Sequence, residues 1–334
     1  MFLRAMTTAA AFGLGALAAQ AETQVQLALD WKFEGPAAPY FAAIDNGHFA
    51  AADLSVEVVA GQGSLDAIPK VATGAYPFGF ADINSLIKFK DQNPDAPVIM
   101  VMMTYDKPPF AVIGRKSLGV ETPEDLEGKV LGAPPPDGAW AQFGPFATAN
   151  GLDMEKIKVE PVGFPTREPM LAEGKVDAVT GYNFSSYLNL ARLGVPEDDI
   201  STILMADYGL SLYGNGIIVN TDFAAANPGL VKGFLAAVAA GWKDAIADPA
   251  AGAAMVIERN PAGDAELETR RLQMVIDANV LTPWVKENGM GGVDPDRFAA
   301  GLKQLAETYE FQGDADPAMY FTGEYLPEGG FALD

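Results

Sequence analysis

Residues 27–49, LALDWKFEGPAAPYFAAIDNGHF, run from an apolar segment into a helix-like segment. Asp30 and Glu34 lie on either side of Trp31, at the point where the apolar run ends. A strand that is only structural usually ends in turn residues, whereas acids and an aromatic ring are able to contact a ligand. The pattern therefore predicts a β-strand, a turn that lines a binding site, and a helix that ends near Gly47.

The alternation of short apolar runs and helix-like stretches continues along the chain and is typical of an α/β fold. Two segments, ATGAYPFGFADINS (72–85) and AEGKVDAVTGYNFSS (172–186), hold equivalent places in two similar sets of elements. Their similarity is too weak to indicate duplication. Two α/β lobes joined by two crossings of the chain would leave a cleft at the carboxyl ends of their strands. Ligands bind at that edge in open parallel sheets.

Composition limits the classes of function. The 334 residues include 44 acidic and 22 basic side chains, for a formal net charge of −22, which argues against nucleic acid or an anionic membrane as a partner. The absence of cysteine excludes disulfides, thiolate metal sites, a cysteine nucleophile and a lipid-modified cysteine. The length predicts one large or two moderate domains. We expect a monomer without a cofactor.

Residues 1–21, MFLRAMTTAAAFGLGALAAQA, have Arg4 in a short basic start, an apolar stretch and the ending AQA. This pattern predicts a secretory signal peptide that is cleaved before Glu22. A helical membrane anchor fits poorly, because the apolar stretch is shorter than the ~20 residues of a span. The mature chain is therefore expected to be an exported, periplasmic protein.

A series of segments in one order resembles the substrate-binding proteins of ABC importers. They are DW followed by a helix ending in NGHF, then LSVEV, GQGS, ATGAYPFGFADINSL and LEGKVLGAP. The resemblance is to the SsuA/THI5-like (NMT1/THI5-like) group, which includes binding proteins for taurine, alkanesulfonates and thiamine-precursor pyrimidines. It covers about residues 25–245. It implies capture of a small solute for an ABC permease and its cytoplasmic ATPase.

The resemblance also implies a type II periplasmic-binding-protein fold, in which two α/β lobes joined by a hinge close on a ligand. The first lobe would comprise residues 22–112 plus 216–334, and the second lobe residues 113–215. The hinge crossings would fall near Val112–Gly114 and Tyr213–Gly216. Closure of this kind is a population shift, driven by contacts that exist only in the closed state.

Residues that face the cleft are expected directly after strands and at helix starts. In the first lobe these are Asp30, Trp31, Glu34, Gln62, Gly63, Ser64, Asp82 and Asn84. In the second lobe they are Asp137, Trp140, Tyr182 and Phe184, with Tyr105 and Tyr213 near the crossings. Trp31 is expected to stack on the ligand. The first-lobe acids are expected to accept hydrogen bonds or balance charge, while Ser64 and Asn84 orient the ligand.

Several of these residues have a purely structural alternative. Trp31 could be a core tryptophan, and Asp82 could only cap the helix that follows it. Asp30 and Glu34 could be solvated turn acids in an acidic protein. The sequence alone leaves these alternatives open.

The expected cleft residues favour one class of ligand. Ser64 begins a helix whose free N–H groups could bind an anion, but PPPDGAW places Asp137 at the N-cap of the second-lobe helix, where it would repel a sulfonate. Carboxylates accept hydrogen bonds from ring amines, and aromatic faces stack on rings and attract positive charge. An aminopyrimidine or a related heteroaromatic or cationic compound is therefore predicted. Taurine, alkanesulfonates and nitrate remain alternatives, since Arg167 or Ser64 could hold an acidic group.

An enzyme is not expected. Yeast members of the resembling family make the pyrimidine with a histidine of their own chain and a cysteine-rich motif. This chain has no cysteine, and its single histidine, His48, follows a helix-ending glycine in NGHF. G-x-S-x-G, P-loop and dinucleotide motifs are also absent from the sequence. An interaction or scaffold protein is a further alternative, and would show no stabilisation by a ligand.

Overall fold

The computed structural model describes residues 22–333. The predicted signal peptide, residues 1–21, lies outside this range. Across residues 22–333, no helix has both the length and the apolar character that crossing a bilayer requires.

The described residues form strands and helices in alternation, as expected for an α/β protein. The strands, in chain order, are β1 (Thr23–Ala28), β2 (Leu54–Val59), β3 (Phe78–Asp82), β4 (Val98–Met103), β5 (Phe110–Arg115), β6 (Val130–Ala133), β7 (Lys158–Pro161), β8 (Ala178–Tyr182), β9 (Ile200–Leu204) and β10 (Asn215–Asn220). The helices are α1 (Ala38–Asp45), α2 (Ser64–Ala72), α3 (Ile83–Gln92), α4 (Gly138–Ala141), α5 (Phe143–Ala149), α6 (Phe164–Ala172), α7 (Asn183–Arg192), α8 (Thr221–Ala226), α9 (Pro228–Ala247), α10 (Pro249–Arg259), α11 (Ala265–Val275), α12 (Pro283–Asn288) and α13 (Pro295–Ala306).

The strands form two five-stranded sheets of matching design. The first sheet has the order β2-β1-β3-β10-β4, and the second has the order β7-β6-β8-β5-β9. In the first, β1 is parallel to β2 and β3, while β10 is antiparallel to β3 and β4. In the second, β6 is parallel to β7 and β8, while β5 is antiparallel to β8 and β9. The strands of the two similar segments, β3 and β8, occupy the same central position, which confirms their predicted equivalence.

The chain passes between the sheets in two connections, residues 104–109 and 205–214. Val112–Gly114, where the sequence analysis places the first crossing, instead lies inside β5 and pairs with both β8 and β9. The glycine there is a packing position, because a Cβ on Gly114 would lie 2.5 Å from Cγ1 of Val120. The limits of the two lobes remain a prediction, with the crossings now best sought in these two connections.

Close packing of α1 on α9 sets the position of the segment that follows β1. A Cβ on Gly241 of α9 would lie 2.0 Å from the carbonyl oxygen of Pro39, so only glycine allows the two helices to approach this closely. The stacked rings of Phe78 and Phe234, with centroids 3.8 Å apart, fix α9 against the first sheet. Tyr40, in the first turn of α1, is therefore held beside the carboxyl end of β1.

Candidate ligand-binding site

A cleft opens between the two sheets at the carboxyl ends of their parallel strands. Its first wall comes from the residues that follow β1, β2 and β3, and its second wall from those that follow β6, β7 and β8. The cleft has a cavity volume of about 90 Å³, measured as the space open to the centres of water molecules. This is several times the ~10–15 Å³ that one water needs, so the cleft has room for a small organic molecule.

Most of the predicted site residues line this cleft. They are Asp30, Trp31, Glu34, Gly63, Ser64, Tyr105, Asp137, Tyr182 and Phe184. Their contact with a ligand remains a prediction. The remaining five, Gln62, Asp82, Asn84, Trp140 and Tyr213, are not part of the lining.

Asp82 and Asn84 are used inside the first lobe. The Asp82 carboxylate accepts hydrogen bonds from the backbone N–H groups of Asn84 and Ser85, at 3.2 and 2.8 Å, and so caps α3. It also accepts a hydrogen bond from Nδ2 of Asn84, and the same Nδ2 donates a second hydrogen bond to the carbonyl oxygen of Tyr213. For Asp82, the capping alternative describes the structure, because its helix begins at the very next residue.

The other three predicted residues also point elsewhere. Gln62 is exposed to solvent. Trp140 stacks on Phe143 of α5, with ring centroids 5.6 Å apart, and packs against an apolar core. The Tyr213 hydroxyl accepts a hydrogen bond from the Asp294 N–H at 2.8 Å, and its ring lies under the guanidinium of Arg297. Each was predicted from its place in the chain, but none of the three is part of the cleft lining.

Asp30 is the acid at the carboxyl end of β1. Its Oδ2 accepts a hydrogen bond of 2.7 Å from Nδ2 of Asn215. Burial raises the pKa of Asp30 to about 7, with further increases from the nearby carboxylates of Asp82 and Glu34. The hydrogen bonds from its own backbone and from Asn215 act in the opposite direction. Near neutral pH, Asp30 can therefore accept a hydrogen bond as a carboxylate or donate one as an acid.

Glu34 is held at the first wall by α11. Nη1 of Arg271 lies 3.6 Å from Oε2 of Glu34, and Nε of Arg271 donates to Glu268 at 3.0 Å. Burial raises the pKa of Glu34, and the Arg271 guanidinium is the main group that lowers it again. Arg271 also reaches α7 of the second lobe, with Nη1 3.4 Å from Oγ of Ser185. One buried cation thus joins a cleft acid to the opposite lobe.

Aromatic rings form much of both walls. Trp31 meets Phe164 of the second lobe edge to face, with centroids 5.3 Å apart and an interplanar angle of 71°. Deeper in, Phe184 lies edge-on to both Tyr105 and Tyr182. Edge-to-face clusters of this kind present ring faces on which a flat ligand can stack.

A tyrosine hydroxyl on the first wall is available to a ligand. Tyr40 is buried and lines the cleft, and its hydroxyl has no hydrogen-bond partner within residues 22–333. Burial raises the pKa of Tyr40 well above its usual value, so the hydroxyl remains protonated and able to donate. A buried donor without a partner is unfavourable, and a polar ligand atom would relieve that cost.

The second wall carries an acid and an arginine that neutralise each other. Asp137 is the N-cap of α4, as predicted, and accepts from the Ala139 N–H at 3.3 Å and from Oγ1 of Thr180 at 2.8 Å. Burial raises the pKa of Asp137, and Arg167, 4.0 Å away, is the main group that lowers it. Arg167 donates two further hydrogen bonds to Glu168. Its positive charge is therefore balanced by two carboxylates.

Several residues of the lining were not among the predicted site residues. They are Leu29, Lys32, Pro36, Ala37, Tyr40, Leu65, Phe80, Ser85, Pro136, Gly138, Phe164, Arg167 and Ser185. Tyr40 and Phe164 stand in the first turns of α1 and α6, so the rule of looking at helix starts could have found both. Asn215, behind Asp30, gives no such signal, because only the pairing of β10 with β3 brings it there.

His48 lies outside the lining of the cleft. Its Nε2 is 2.6 Å from Oδ2 of Asp244 on α9. Within residues 22–333, no group of three histidine, aspartate or glutamate side chains is arranged to hold a metal ion.

Comparison with known proteins gives a consistent result. The NMT1/THI5 like family model matches residues 36–252. The riboflavin-binding protein RibY of Chloroflexus aurantiacus is 26% identical over 316 residues, which cover 92% of this chain and 87% of that protein. A formylaminopyrimidine-binding protein of Halalkalibacterium halodurans is 27% identical over 223 residues, which cover 66% of this chain and 64% of that protein.

The fold has solved counterparts. The periplasmic aliphatic sulphonate binding protein SsuA of Escherichia coli superimposes with a TM-score of 0.69 at 14% identity, covering 88% of this chain and 95% of that one. Identity this low informs on the fold alone. The two matching sheets and this likeness confirm the predicted type II periplasmic-binding-protein fold.

Proposed function

The chain belongs to the NMT1/THI5-like family, and on that basis we propose that it is a periplasmic solute-binding protein of an ABC importer. It captures a small nitrogen-containing heteroaromatic compound, such as a thiamine-precursor-like aminopyrimidine, in the cleft between its two sheets. The relatives named for binding riboflavin and formylaminopyrimidine support this class of ligand, since both names denote nitrogen-containing ring compounds. The partners are an ABC permease and its cytoplasmic ATPase.

The observation that supports the proposal most strongly is the pairing of acids with aromatic rings in the cleft. Trp31 and Phe164 both line the cleft and meet edge to face from opposite lobes. Asp30 and Glu34 lie on the same wall and accept hydrogen bonds from ring or exocyclic amines. The free hydroxyl of Tyr40 complements them as a donor to a ring nitrogen or carbonyl oxygen.

The charge arrangement disfavours an anionic ligand. Arg167 is balanced by Glu168 and Asp137, and the ammonium of Lys32 lies 5.5 Å from the centre of the Trp31 ring. A sulfonate or nitrate in this cleft would also face the carboxylates of Asp30 and Glu34. Two like charges 4 Å apart near a protein surface repel each other by about 4 kcal/mol.

The proposal assigns no catalytic step. Both sequence relatives described above are named as binding proteins. The histidine of the chain is engaged with Asp244 outside the cleft, at 2.6 Å. Periplasmic location and secretion through the predicted signal peptide, residues 1–21, form part of the proposal.

A thermal-shift screen of residues 22–334 tests the ligand class. The compounds are riboflavin, a formylaminopyrimidine, an aminopyrimidine, taurine, an alkanesulfonate and nitrate. We expect a heteroaromatic compound at 100 times its dissociation constant to add about 2.7 kcal/mol to the free energy of unfolding, and so to raise the melting temperature. Stabilisation by sulfonates or nitrate alone would assign the protein to the anion-binding branch. If no compound stabilises the protein, the alternative of an interaction or scaffold protein would be favoured.

Ligand affinity is expected to fall about tenfold for each pH unit below 7. Asp30 has a pKa of about 7 in the free protein, and a ligand that donates to it binds the ionised form. As the pH falls below 7, a growing share of the protein must lose the Asp30 proton before it binds. Calorimetry between pH 5 and pH 9 measures this dependence, after correction for titration of the ligand itself. Asp30→Asn should remove it, and an equally steep profile in that variant would exclude Asp30 as the cause.

A further inference from the structure

Asn215 lies behind the first wall of the cleft, in contact with Asp30. It is the first residue of β10 and is fully buried, and it is not part of the cleft lining. Its Nδ2 donates the 2.7 Å hydrogen bond to Oδ2 of Asp30, which does line the cleft. The amide therefore determines where one oxygen of the cleft acid lies, without access to the ligand itself.

The backbone of Asn215 is fixed at the point where the two connections between the sheets meet. Its carbonyl oxygen accepts hydrogen bonds from the N–H groups of Thr104 and Tyr105, at 3.1 and 2.8 Å. The neighbouring Gly214 N–H donates to the carbonyl oxygen of Tyr105 at 3.0 Å. Both connections between the sheets therefore hold the backbone from which the Asn215 amide reaches Asp30.

Among the residues that the structure describes, the side chain of Asn215 makes no other hydrogen bond. Its Oδ1 is buried and has no partner within residues 22–333. A buried carbonyl oxygen without a partner lowers stability, so an apolar side chain of similar size would suit a purely structural position better. The contact that Asn215 does make is the one to Asp30.

We propose that Asn215 is a positioning residue for ligand binding, which holds the Asp30 carboxylate in the orientation that the ligand requires. The inference rests on the proposed function, because it concerns the same cleft. Binding to a carboxylate that is already fixed costs less conformational entropy than binding to one that must be ordered when the ligand arrives. Asn215 supplies that order from the junction of the two lobes.

The charged and titratable groups around Asp30 decide how the amide affects its ionisation. The charges of Asp82 and Glu34 disfavour the ionised form of Asp30. The Asp30 charge in turn raises the pKa of the nearby hydroxyls of Tyr40, Tyr105 and Tyr182. The hydrogen bond from Asn215 favours the carboxylate. Loss of the amide therefore raises the pKa of Asp30, and the ionised fraction at pH 7 falls.

Asn215→Leu tests the proposal, with Asn220→Leu as the matched control. Asn220 lies at the other end of β10 and is also buried, but its side chain caps α8 and makes no hydrogen bond to a residue of the cleft lining in the described structure. Carboxyl-carbon NMR of the ligand-free protein, with Asp30 assigned from Asp30→Asn, measures the titration midpoint of Asp30. We expect Asn215→Leu to raise that midpoint by about one to two pH units, the scale of one hydrogen bond to a charged group, and Asn220→Leu to leave it in place.

Binding provides the second readout. With riboflavin and the formylaminopyrimidine as probes, we expect Asn215→Leu to weaken binding about 5- to 50-fold at pH 7, the fall in the ionised fraction of Asp30 when its midpoint rises by one to two pH units. Above the new midpoint we expect only partial recovery, because the carboxylate still lacks the hydrogen bond that orients it. An unchanged Asp30 midpoint in Asn215→Leu, or an equal shift in both variants, would overturn the proposal. If none of the heteroaromatic compounds in the thermal-shift screen stabilises the wild-type protein, the proposed function fails, and the ligand-free titration still decides whether Asn215 controls Asp30.

Discussion

Trp31→Ala is expected to weaken binding of the heteroaromatic ligand by about 1–3 kcal/mol, the scale of one lost aromatic anchor. The Trp31 ring lies at the cleft wall, edge to face with Phe164 of the opposite lobe. Its removal deletes both the ring face that a flat ligand covers and a contact that joins the two lobes. Calorimetry with the compound that gives the largest thermal shift measures the change in dissociation constant.

Trp140→Ala is the control for that experiment. Both tryptophans are predicted from the sequence as site residues, but Trp140 stacks on Phe143 of α5 and does not line the cleft. Trp140→Ala should therefore lower the melting temperature while leaving the dissociation constant unchanged. If both variants lose the same affinity, the effect of Trp31→Ala reflects a general loss of structure. If Trp31→Ala binds as the wild-type protein does, Trp31 is not part of the site.

The sequence predicted the fold class because its signals are local. Short apolar runs bounded by turns and helix-like stretches are visible in short windows of the sequence, and the structure shows them as alternating strands and helices. The equivalence of the two halves was visible in the segments that became β3 and β8. The first crossing was inferred from the family resemblance to lie near Val112–Gly114, whereas these residues lie inside β5 and Gly114 packs closely against Val120.

The candidate site was predicted in part, and two acids show why. Asp30 and Asp82 each end an apolar strand, so the sequence gives them the same interpretation. A helix begins directly after Asp82, and its free N–H groups take the carboxylate, whereas the irregular segment WKFE (31–34) separates Asp30 from the short 3-10 helix that begins at Gly35. The carboxylate of Asp30 is left for the cleft and for Asn215. The length of the segment after each strand separates the two roles.

The second source of error in predicting the site residues was the direction in which a helical side chain points. Trp140 and Phe164 both stand within the first turns of second-lobe helices, but only Phe164 points into the cleft. The direction of a side chain depends on how its helix is rotated against the sheet, and packing determines that rotation. Asn215 depends on still longer-range order, since it reaches Asp30 across 185 positions of the chain.

Arg271→Met is expected to lower the free energy of unfolding by about 3–5 kcal/mol, the cost of breaking a buried ion pair by removing one partner. Arg271 is 2% exposed and lies between Glu268, at 3.0 Å, and Glu34, at 3.6 Å. Methionine fills part of the space but leaves both carboxylates without their cation. Urea denaturation at pH 8, followed by circular dichroism, measures the loss.

Arg270→Met separates this buried contact from a surface one. Arg270 directly precedes Arg271 in α11 and pairs with Glu197 of the second lobe, but both side chains are nearly half exposed. Solvent screens such pairs, so Arg270→Met should cost no more than about 1 kcal/mol. Equal losses in the two variants would mean that burial of Arg271 contributes nothing beyond a contact between the lobes.

The pH dependence of the Arg271→Met deficit tests its electrostatic origin. Burial raises the pKa of Glu34, and Arg271 is the main group that lowers it, so the substitution raises that pKa further. The cost of an uncompensated carboxylate applies only while it is ionised, and therefore is largest above the raised pKa and falls as the pH drops through it. We expect the stability gap between Arg271→Met and the wild-type protein to be smaller at pH 5 than at pH 8. A gap that stays constant over this range would show that Arg271 stabilises the fold by packing and by its contacts with α7, and that the Glu34 charge has no part in it.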